Sequence, residues 1–571
     1  MNNPIISFKD FGFKYAAQAE PTLHHINLDI YPGERVLIAG ASGSGKSTIG
    51  SCINGLIPFA YPGESTGMLL VGGKDPREQS IFELSHTVGT VLQDTDGQFI
   101  GLSVAEDIAF ALENDCVPQD RMKETVDKVA RLVDVEHHLT YAPYELSGGL
   151  KQRVSLAGVM VDDVKVLLFD EPLANLDPAA GRLSIELIDE VADQTGAAVI
   201  VIEHRLEDVL WRRMDRIILM EDGCIVADMS PRKLLCSNLL MEHGIREPLY
   251  LTALRYAGAD IREEMKPEQV NGLKLSGEQK NLVKCWGEQT QSREKQGAGG
   301  KELLRIEHLG FGYSQEAKAL EDISFVIEEG EMVSIVGRNG AGKSTLAKLI
   351  CGFEKPDEGK ILLRGHSLEK DTIKERAEHI GYCMQNPNQM ISKPMIWDEV
   401  ELALLSTDMT QEQRRERVEE TLKICGLYSM RKWPISALSY GQKKRVTIAS
   451  ILVRRPGIII LDEPTAGQDY HHYTDIMEFL RELNAKGYTI LIITHDMHLM
   501  LEYTPRVICF SQGRLLADTT AAEVLNDPQL VKKASLKETS LYSLALQCGM
   551  TDPRMLTERF IRYEKEGRNI E

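Results

Sequence analysis

Gly40-Ala41-Ser42-Gly43-Ser44-Gly45-Lys46-Ser47-Thr48 is the stretch that decides the fold. It fits the G-x-x-x-x-G-K-[ST] pattern of a phosphate-binding loop, and its flanks agree with that reading. The apolar run Arg35-Val36-Leu37-Ile38-Ala39 reads as a buried strand, and a helical pattern follows Lys46 as far as a stop at Asn54-Gly55. Glycines at 40, 43 and 45 let the backbone turn tightly, so that several N–H groups face phosphate oxygens. The helix N-terminus adds a positive dipole end. Lys46 is expected to reach the β- and γ-phosphates, and Ser47 to offer its hydroxyl to Mg²⁺. Ser42 and Thr48 belong to the same set of nucleotide contacts.

The loop recurs as Gly337-Arg338-Asn339-Gly340-Ala341-Gly342-Lys343-Ser344-Thr345, again after a strand-like run at 332–336. Its expected nucleotide contacts are Gly337, Asn339, Gly340, Gly342, Lys343, Ser344 and Thr345, with Ser344 in the position of Ser47. Leu146-Ser147-Gly148-Gly149 recurs as Leu438-Ser439-Tyr440-Gly441, and Asp170-Glu171-Pro172 as Asp462-Glu463-Pro464, at one constant offset that also relates Gln93 to Gln385. His204 and His495 are related by an offset one residue shorter. Even Leu249-Tyr250-Leu251 has a counterpart in Leu541-Tyr542-Ser543. A repeat of this length is a domain copied once, not a solenoid unit.

The first nucleotide domain is placed at 1–230, with a helical extension over 231–258. A Glu-, Gln-, Lys- and Gly-rich stretch at 259–300 reads as a flexible linker, in which Trp286 makes a local packing contact. The second domain runs over 301–530, with its own helical extension at 531–571. In each copy short strands (5–8 and 25–30; 304–306 and 323–327) precede the phosphate loop. A helix-rich middle follows, and then apolar strands alternate with helices. That order predicts an α/β domain with a mostly parallel core sheet.

Val166-Leu167-Leu168-Phe169-Asp170-Glu171 and Ile458-Ile459-Ile460-Leu461-Asp462-Glu463 each end a buried strand on adjacent carboxylates. Alternation along a strand points the two different ways, so they divide the work. Asp170 and Asp462 suit Mg²⁺ coordination, while Glu171 and Glu463 suit positioning or deprotonating an attacking water.

Together these motifs resemble the ATP-binding-cassette ATPases. Leu146-Ser147-Gly148-Gly149-Leu150-Lys151-Gln152-Arg153 and Leu438-Ser439-Tyr440-Gly441-Gln442-Lys443-Lys444-Arg445 are similar to that family's signature sequence, with Leu150 where Gln is usual and Tyr440 where the first Gly is usual. The resemblance implies two tandem phosphate-loop domains, each with a β subdomain and a helical signature subdomain. It also implies ATP and Mg²⁺ as ligands. It assigns Tyr15 and Tyr313 to stack on adenine, and Gln93 and Gln385 to link γ-phosphate and Mg²⁺ to a transport partner. Asp177 and Asp469 are assigned to communication between cassettes. His204 and His495 are assigned to the γ-phosphate, beside Glu171 and Glu463 as the catalytic set. It further implies head-to-tail pairing, in which Lys46, Ser47, Asp170, Glu171 and His204 meet Ser439 and Gly441. Lys343, Ser344, Asp462, Glu463 and His495 then meet Ser147 and Gly149, giving two hydrolytically competent sites.

Val91-Leu92-Gln93-Asp94-Thr95-Asp96-Gly97-Gln98 and Cys383-Met384-Gln385-Asn386-Pro387-Asn388-Gln389 each carry a second glutamine, and both run into acidic helix starts. With Glu203-His204-Arg205 in one half and Thr494-His495-Asp496 in the other, the chain resembles the fused ATPases of energy-coupling-factor importers. These are bacterial and archaeal systems for vitamins and metal ions, with cobalt and thiamine precursors among their cargoes. The resemblance implies a peripheral subunit on the cytoplasmic face of the cell membrane. Its partners are a transmembrane coupling protein and a separate substrate-binding membrane subunit, and basic coupling helices would meet Asp94, Asp96, Glu106, Asp107, Asp398 and Glu399; the equal alternative is that these are ordinary helix N-terminal carboxylates favouring the dipole.

The balance of 65 Lys plus Arg against 85 Asp plus Glu, a formal charge of −20, disfavours a nucleic-acid binder. The longest apolar runs (164–169, 457–461 and 488–494) fall far short of the ~20 residues of a membrane span. Ten scattered cysteines without C-x-x-C read as reduced residues of a cytosolic protein. A twin-cassette ATPase acting on the ribosome is the rival reading. Against it stand the acidic charge and a 259–300 stretch broken by Pro267, Gly272, Gly277 and Gly287 where such factors carry a charged helical hairpin. The pairs His24-His25, His137-His138 and His471-His472 share neither a helix face nor a strand face, so none reads as a metal site alone.

Overall fold

The computed structural model describes residues 3–93, 96–174, 176–289, 300–314 and 317–568. They divide into two compact units, Met1–Lys280 and Asn281–Glu571. In the first unit the run ahead of the phosphate loop becomes the strand Arg35–Gly40, inside a six-stranded sheet. The order across it is Val88–Val91, Val166–Asp170, Ala198–Ile202, Arg35–Gly40, Arg216–Glu221, Cys224–Met229. Every pairing is parallel except that of the last two strands. Parallel strands are covered on both faces, which is why uninterrupted Val/Ile/Leu runs mark them; all five residues of Ala198–Ile202 are buried. The register pairs Ile202 with both Ile38 and Asp170. The carboxyl ends of the three central strands therefore lie together, where open α/β sheets place their ligands.

A three-stranded antiparallel sheet (Leu23–Ile30, Ile6–Tyr15, Gly63–Val71) shares a core with the first sheet, joining Phe8, Phe11 and Phe13 to Ile49, Leu168 and Ile200. The opening strand is longer than its alternation predicts. Its register shifts between Phe8 and Phe11, where Asp10 adopts a φ of 46°, and this bulge breaks the two-residue period. The second unit repeats the plan. Its six-stranded sheet runs Ile380–Cys383, Ile458–Asp462, Thr489–Ile493, Met332–Val336, Arg506–Ser511, Arg514–Thr519, and a four-stranded antiparallel sheet accompanies it. The α/β class with mostly parallel core sheets is what the motifs predict. Among the described residues no helix is long and apolar enough to cross a membrane.

The expected flexible linker is corrected over 259–289. Ile261 and Met265 are buried, and Tyr250 donates its hydroxyl to the Pro267 carbonyl at 2.6 Å. Gly277–Glu288 is a helix whose Trp286 is 6% exposed and lies edge-on to Tyr563 of the C-terminal helix Arg554–Arg568, with ring centroids 5.8 Å apart. Gly287 packs against Met550 and Leu556: a Cβ there would lie 2.8 Å from Met550 Cε and 3.5 Å from Leu556 Cα. The glycine read as a breaker is thus a packing residue. The remainder of that expected linker, 290–299, lies outside the described residues.

Candidate nucleotide sites

Each phosphate loop closes on its own lysine. Lys46 Nζ donates to the Gly40 and Ala41 carbonyls at 2.8 and 2.7 Å, and Lys343 Nζ to those of Gly337 and Arg338 at 2.7 and 3.0 Å. Both lysines are buried, and these carbonyls hold each Nζ at the loop mouth. The helices Lys46–Ile53 and Lys343–Cys351 start without a side-chain cap, from Gly45 at φ 96° and Gly342 at φ 100°. A Cβ at Gly45 would meet Leu23 Cδ2 at 2.7 Å in a backbone conformation that L side chains rarely adopt, so only glycine fits there.

Ser47 Oγ donates to Asp170 Oδ1 at 3.2 Å, and Ser344 Oγ to Asp462 Oδ2 at 3.0 Å. A hydroxyl and a carboxylate converging from two elements are hard oxygen donors of the kind Mg²⁺ takes, so the residues present fit that ion. Burial pushes the Asp170 carboxyl above its ordinary pKa, against the Ser47 bond and Lys46, and neighbouring Glu203 adds to the rise. Burial raises Asp462 as well.

The glutamates sit where the strand ends and the chain turns. Glu171 and Glu463 adopt φ of 47° and 44°, a left-handed conformation that is strained for a residue with a side chain. The turn, rather than strand alternation, is what separates each glutamate from the preceding aspartate. Their partners then differ. Gln93 Nε2 donates to Glu171 Oε2 at 2.5 Å. Glu463 is held by His495 Nδ1 at 2.7 Å and by Thr494 Oγ1 at 3.2 Å. His204 Nδ1 lies 3.2 Å from Glu203.

Tyr15 and Tyr313 stand beside the loops, with their hydroxyls 3.1 and 3.4 Å from Thr48 Oγ1 and Thr345 Oγ1. Ser147 and Ser439 are the N-caps of the signature helices Gly148–Met160 and Tyr440–Leu452. Gln442 completes a capping box with Ser439, whereas Leu150, at the matching position, has no polar group with which to complete one. Gly149 and Gly441 follow in the first turn. Asp177 caps its helix by accepting from Ala180 N–H at 2.9 Å, and Asp469 from His472 N–H at 2.8 Å. The acidic helix starts are also engaged by their own backbone. Glu106 Oε2 accepts from the N–H of Leu102 and Ser103, Asp107 Oδ1 from Ile100 and Gly101, and Glu399 Oε2 from Ser392 and Lys393. Asp398 is exposed. Asp94 lies outside the described residues, as does the Asp96 side chain.

Glu203 with Arg205, Tyr382 and Lys444 surround the site although the motifs assign them no role in it. Glu203, 0% exposed, accepts from the N–H of Leu173, His204 and Arg205, while Arg205 Nη1 donates to the Leu173 carbonyl at 3.1 Å. The pair grips both backbone groups of one residue downstream of Glu171. Tyr382 Oη donates to Asp462 Oδ2 at 3.1 Å, and burial keeps that phenol protonated by raising its pKa. Lys444, 0% exposed, donates to the Met384 and Gln385 carbonyls. The signal for each was a mismatch between the halves: Glu203 against Thr494, Thr90 against Tyr382 and Gln152 against Lys444.

Two phosphate loops, each beside an acid-ended strand and accompanied by a signature helix, define a twin ATP-binding cassette. A family model described as ABC transporter matches residues 23–174 and 320–466, and one described as ATP-binding cassette cobalt transporter matches 237–311. A putative ABC transporter ATP-binding protein of Clostridium perfringens is 58% identical over 99% of each chain, and one of Enterococcus faecalis is 56% identical over 100% of each. Among solved structures, cbiO1 from Clostridium perfringens, part of the ABC transporter complex cbiONQ, is 34% identical, covering 41% of this chain and 94% of that one at a TM-score of 0.38. The chain belongs to the ATP-binding proteins of the ABC transporter family and is an ATPase.

Proposed function

We propose that the chain is the energy-coupling ATPase of an energy-coupling-factor type importer for a vitamin, a vitamin precursor or a metal ion, with cobalt or a thiamine precursor as the favoured cargo. The observation that carries this reading is the match to the cobalt-transporter ATP-binding model over 237–311, the stretch that contains the helix Gly277–Glu288. The chain would act peripherally at the cytoplasmic face of the membrane, on a transmembrane coupling protein and a separate substrate-binding subunit.

In this reading ATP lies between the phosphate loop of one cassette and the signature of the other, so Lys46 works with Ser439 and Gly441, and Lys343 with Ser147 and Gly149. The loop N–H groups and the lysine bind the β- and γ-phosphates, and the tyrosine beside each loop supports adenine. Ser47 with Asp170, and Ser344 with Asp462, would hold Mg²⁺, which supplies charge neutralisation at the phosphate oxygens. Glu171 and Glu463 orient the attacking water and accept its proton, and His204 and His495 contact the γ-phosphate. Asp177 and Asp469 carry the state of one site towards the other. The paired carboxylates and histidines in both halves support two competent sites.

The test is reconstitution of the full chain with the membrane proteins that copurify with it, followed by ATP-dependent uptake of radiolabelled cobalt and of a thiamine precursor. Uptake of one of them that is lost in the Glu171→Gln/Glu463→Gln variant is the expected result. Cosedimentation with ribosomes, with no membrane protein copurifying, would overturn the proposal.

A further inference from the structure

The glutamine loops of the two halves are braced by different parts of the protein. In the first half the loop braces itself: Gln98 accepts from Leu92 N–H at 3.2 Å and donates to the Thr90 carbonyl at 3.1 Å. On the signature helix, Gln152 donates to the Pro172 carbonyl at 2.8 Å. In the second half the residue matching Gln98 is Met390, whose Sδ accepts from Met384 N–H at 3.1 Å, a weak acceptor in place of an amide. The residue matching Gln152 is Lys444, whose ammonium donates to the Met384 and Gln385 carbonyls at 2.9 and 2.7 Å. Tyr440 Oη adds a bond to the Gln385 carbonyl at 3.2 Å.

We infer that Lys444 is a positioning residue that fixes the Gln385 backbone to the signature helix. Any movement of that helix then moves Gln385, whereas among the described residues of the first half the brace seen on the glutamine loop is Gln98. The inference rests on the role proposed above for Gln385. A buried ammonium held by two carbonyls is a charge-assisted contact, so it transmits displacement more firmly than the sulfur contact beside it.

The experiment measures ATP hydrolysis by the full chain, with kcat and KM separated and Tm recorded for each variant. Lys444→Gln is expected to lower kcat about tenfold while KM for ATP stays within about twofold, because positioning rather than nucleotide binding is lost. Lys444→Arg, which keeps a charged donor, is expected to recover most of the rate. Lys444→Gln combined with Met390→Gln, which installs the first half's own brace, is expected to do the same. Wild-type kcat in Lys444→Gln would overturn the inference. So would a loss that neither Lys444→Arg nor Met390→Gln reverses and that tracks a fall in Tm. Wild-type kcat in Gln385→Ala would instead overturn the role of Gln385 itself, and with it the basis for Lys444.

Discussion

Replacing Trp286 with alanine asks whether the stretch between the cassettes is a tether or a built part of the second unit. The indole is 6% exposed, edge-on to Tyr563, with the Arg559 guanidinium 5.5 Å from its ring. Burying an aromatic of about 150–250 Å² at about 25 cal/mol per Å² corresponds to about 4–6 kcal/mol. Trp→Ala substitutions in cores cost about 3–5 kcal/mol. The lower end applies here, because the ring lies at a helix end against a half-exposed tyrosine, so we expect about 3 kcal/mol. At roughly 2–4 °C per kcal/mol for a unit of this order of size, melting of residues 281–571 should fall by about 6–12 °C. Calorimetry of the full chain reads the shift, and limited proteolysis reads its place, with new cleavage expected between 277 and 289. Tyr563→Ala should cost less, and the double variant should show about 0.5–1.5 kcal/mol of coupling. Unchanged melting together with an unchanged cleavage map would refute the packing argument and restore the tether.

Glu171→Gln and Glu463→Gln should each slow hydrolysis about 10²–10⁴-fold at the affected site; full steady-state turnover in the double variant would remove both from catalysis. Under the proposed head-to-tail pairing, Lys46→Ala and Ser439→Ala should be strongly non-additive in ATPase rate, whereas Lys46→Ala with Ser147→Ala should combine as separate injuries. The opposite pattern in purified complexes would refute head-to-tail pairing. Asp170→Asn should abolish activity at its site yet raise the melting temperature of the nucleotide-free chain at neutral pH. Burial lifts that carboxyl in the folded state, so folding binds its proton and the fold loses stability as pH rises through the lifted pKa. The gain should vanish below about pH 3.9, where the carboxyl is protonated folded or unfolded; a lower melting temperature at pH 7 would contradict the burial argument.

The motif residues proposed to contact the nucleotide can be picked out in the sequence because they are local. A glycine-dependent turn, a strand that ends in acids and a histidine after a strand each need only a few consecutive residues, and the structure places them at the carboxyl ends of adjacent parallel strands. What holds those residues was not legible. Lys444 and Gln385 are 59 residues apart, and Leu173 and Arg205 32. A buried lysine and a buried glutamate read as surface residues until the tertiary structure supplies their partners. The linker failed for a related reason. Its glycines and charges are those of a solvated chain, yet Gly287 serves as the gap that admits Met550 and Leu556. Composition reports how much a segment wants water, not which face of it finds a neighbour.

The mismatches between the halves share a direction. Both cassettes keep the loop lysine, the serine–aspartate pair and the glutamate in its left-handed turn, each with near-equal geometry. The differences gather around these groups. Gln93 holds one glutamate and His495 the other; Gln98 braces one glutamine loop and Lys444 the other; only one signature serine has a capping box. Catalytic power in such a site comes from groups held where charge develops, so bracing bears on rate as directly as identity does. Inequality between the two sites should accordingly appear in kcat and in its response to bracing substitutions, while ATP affinity stays matched.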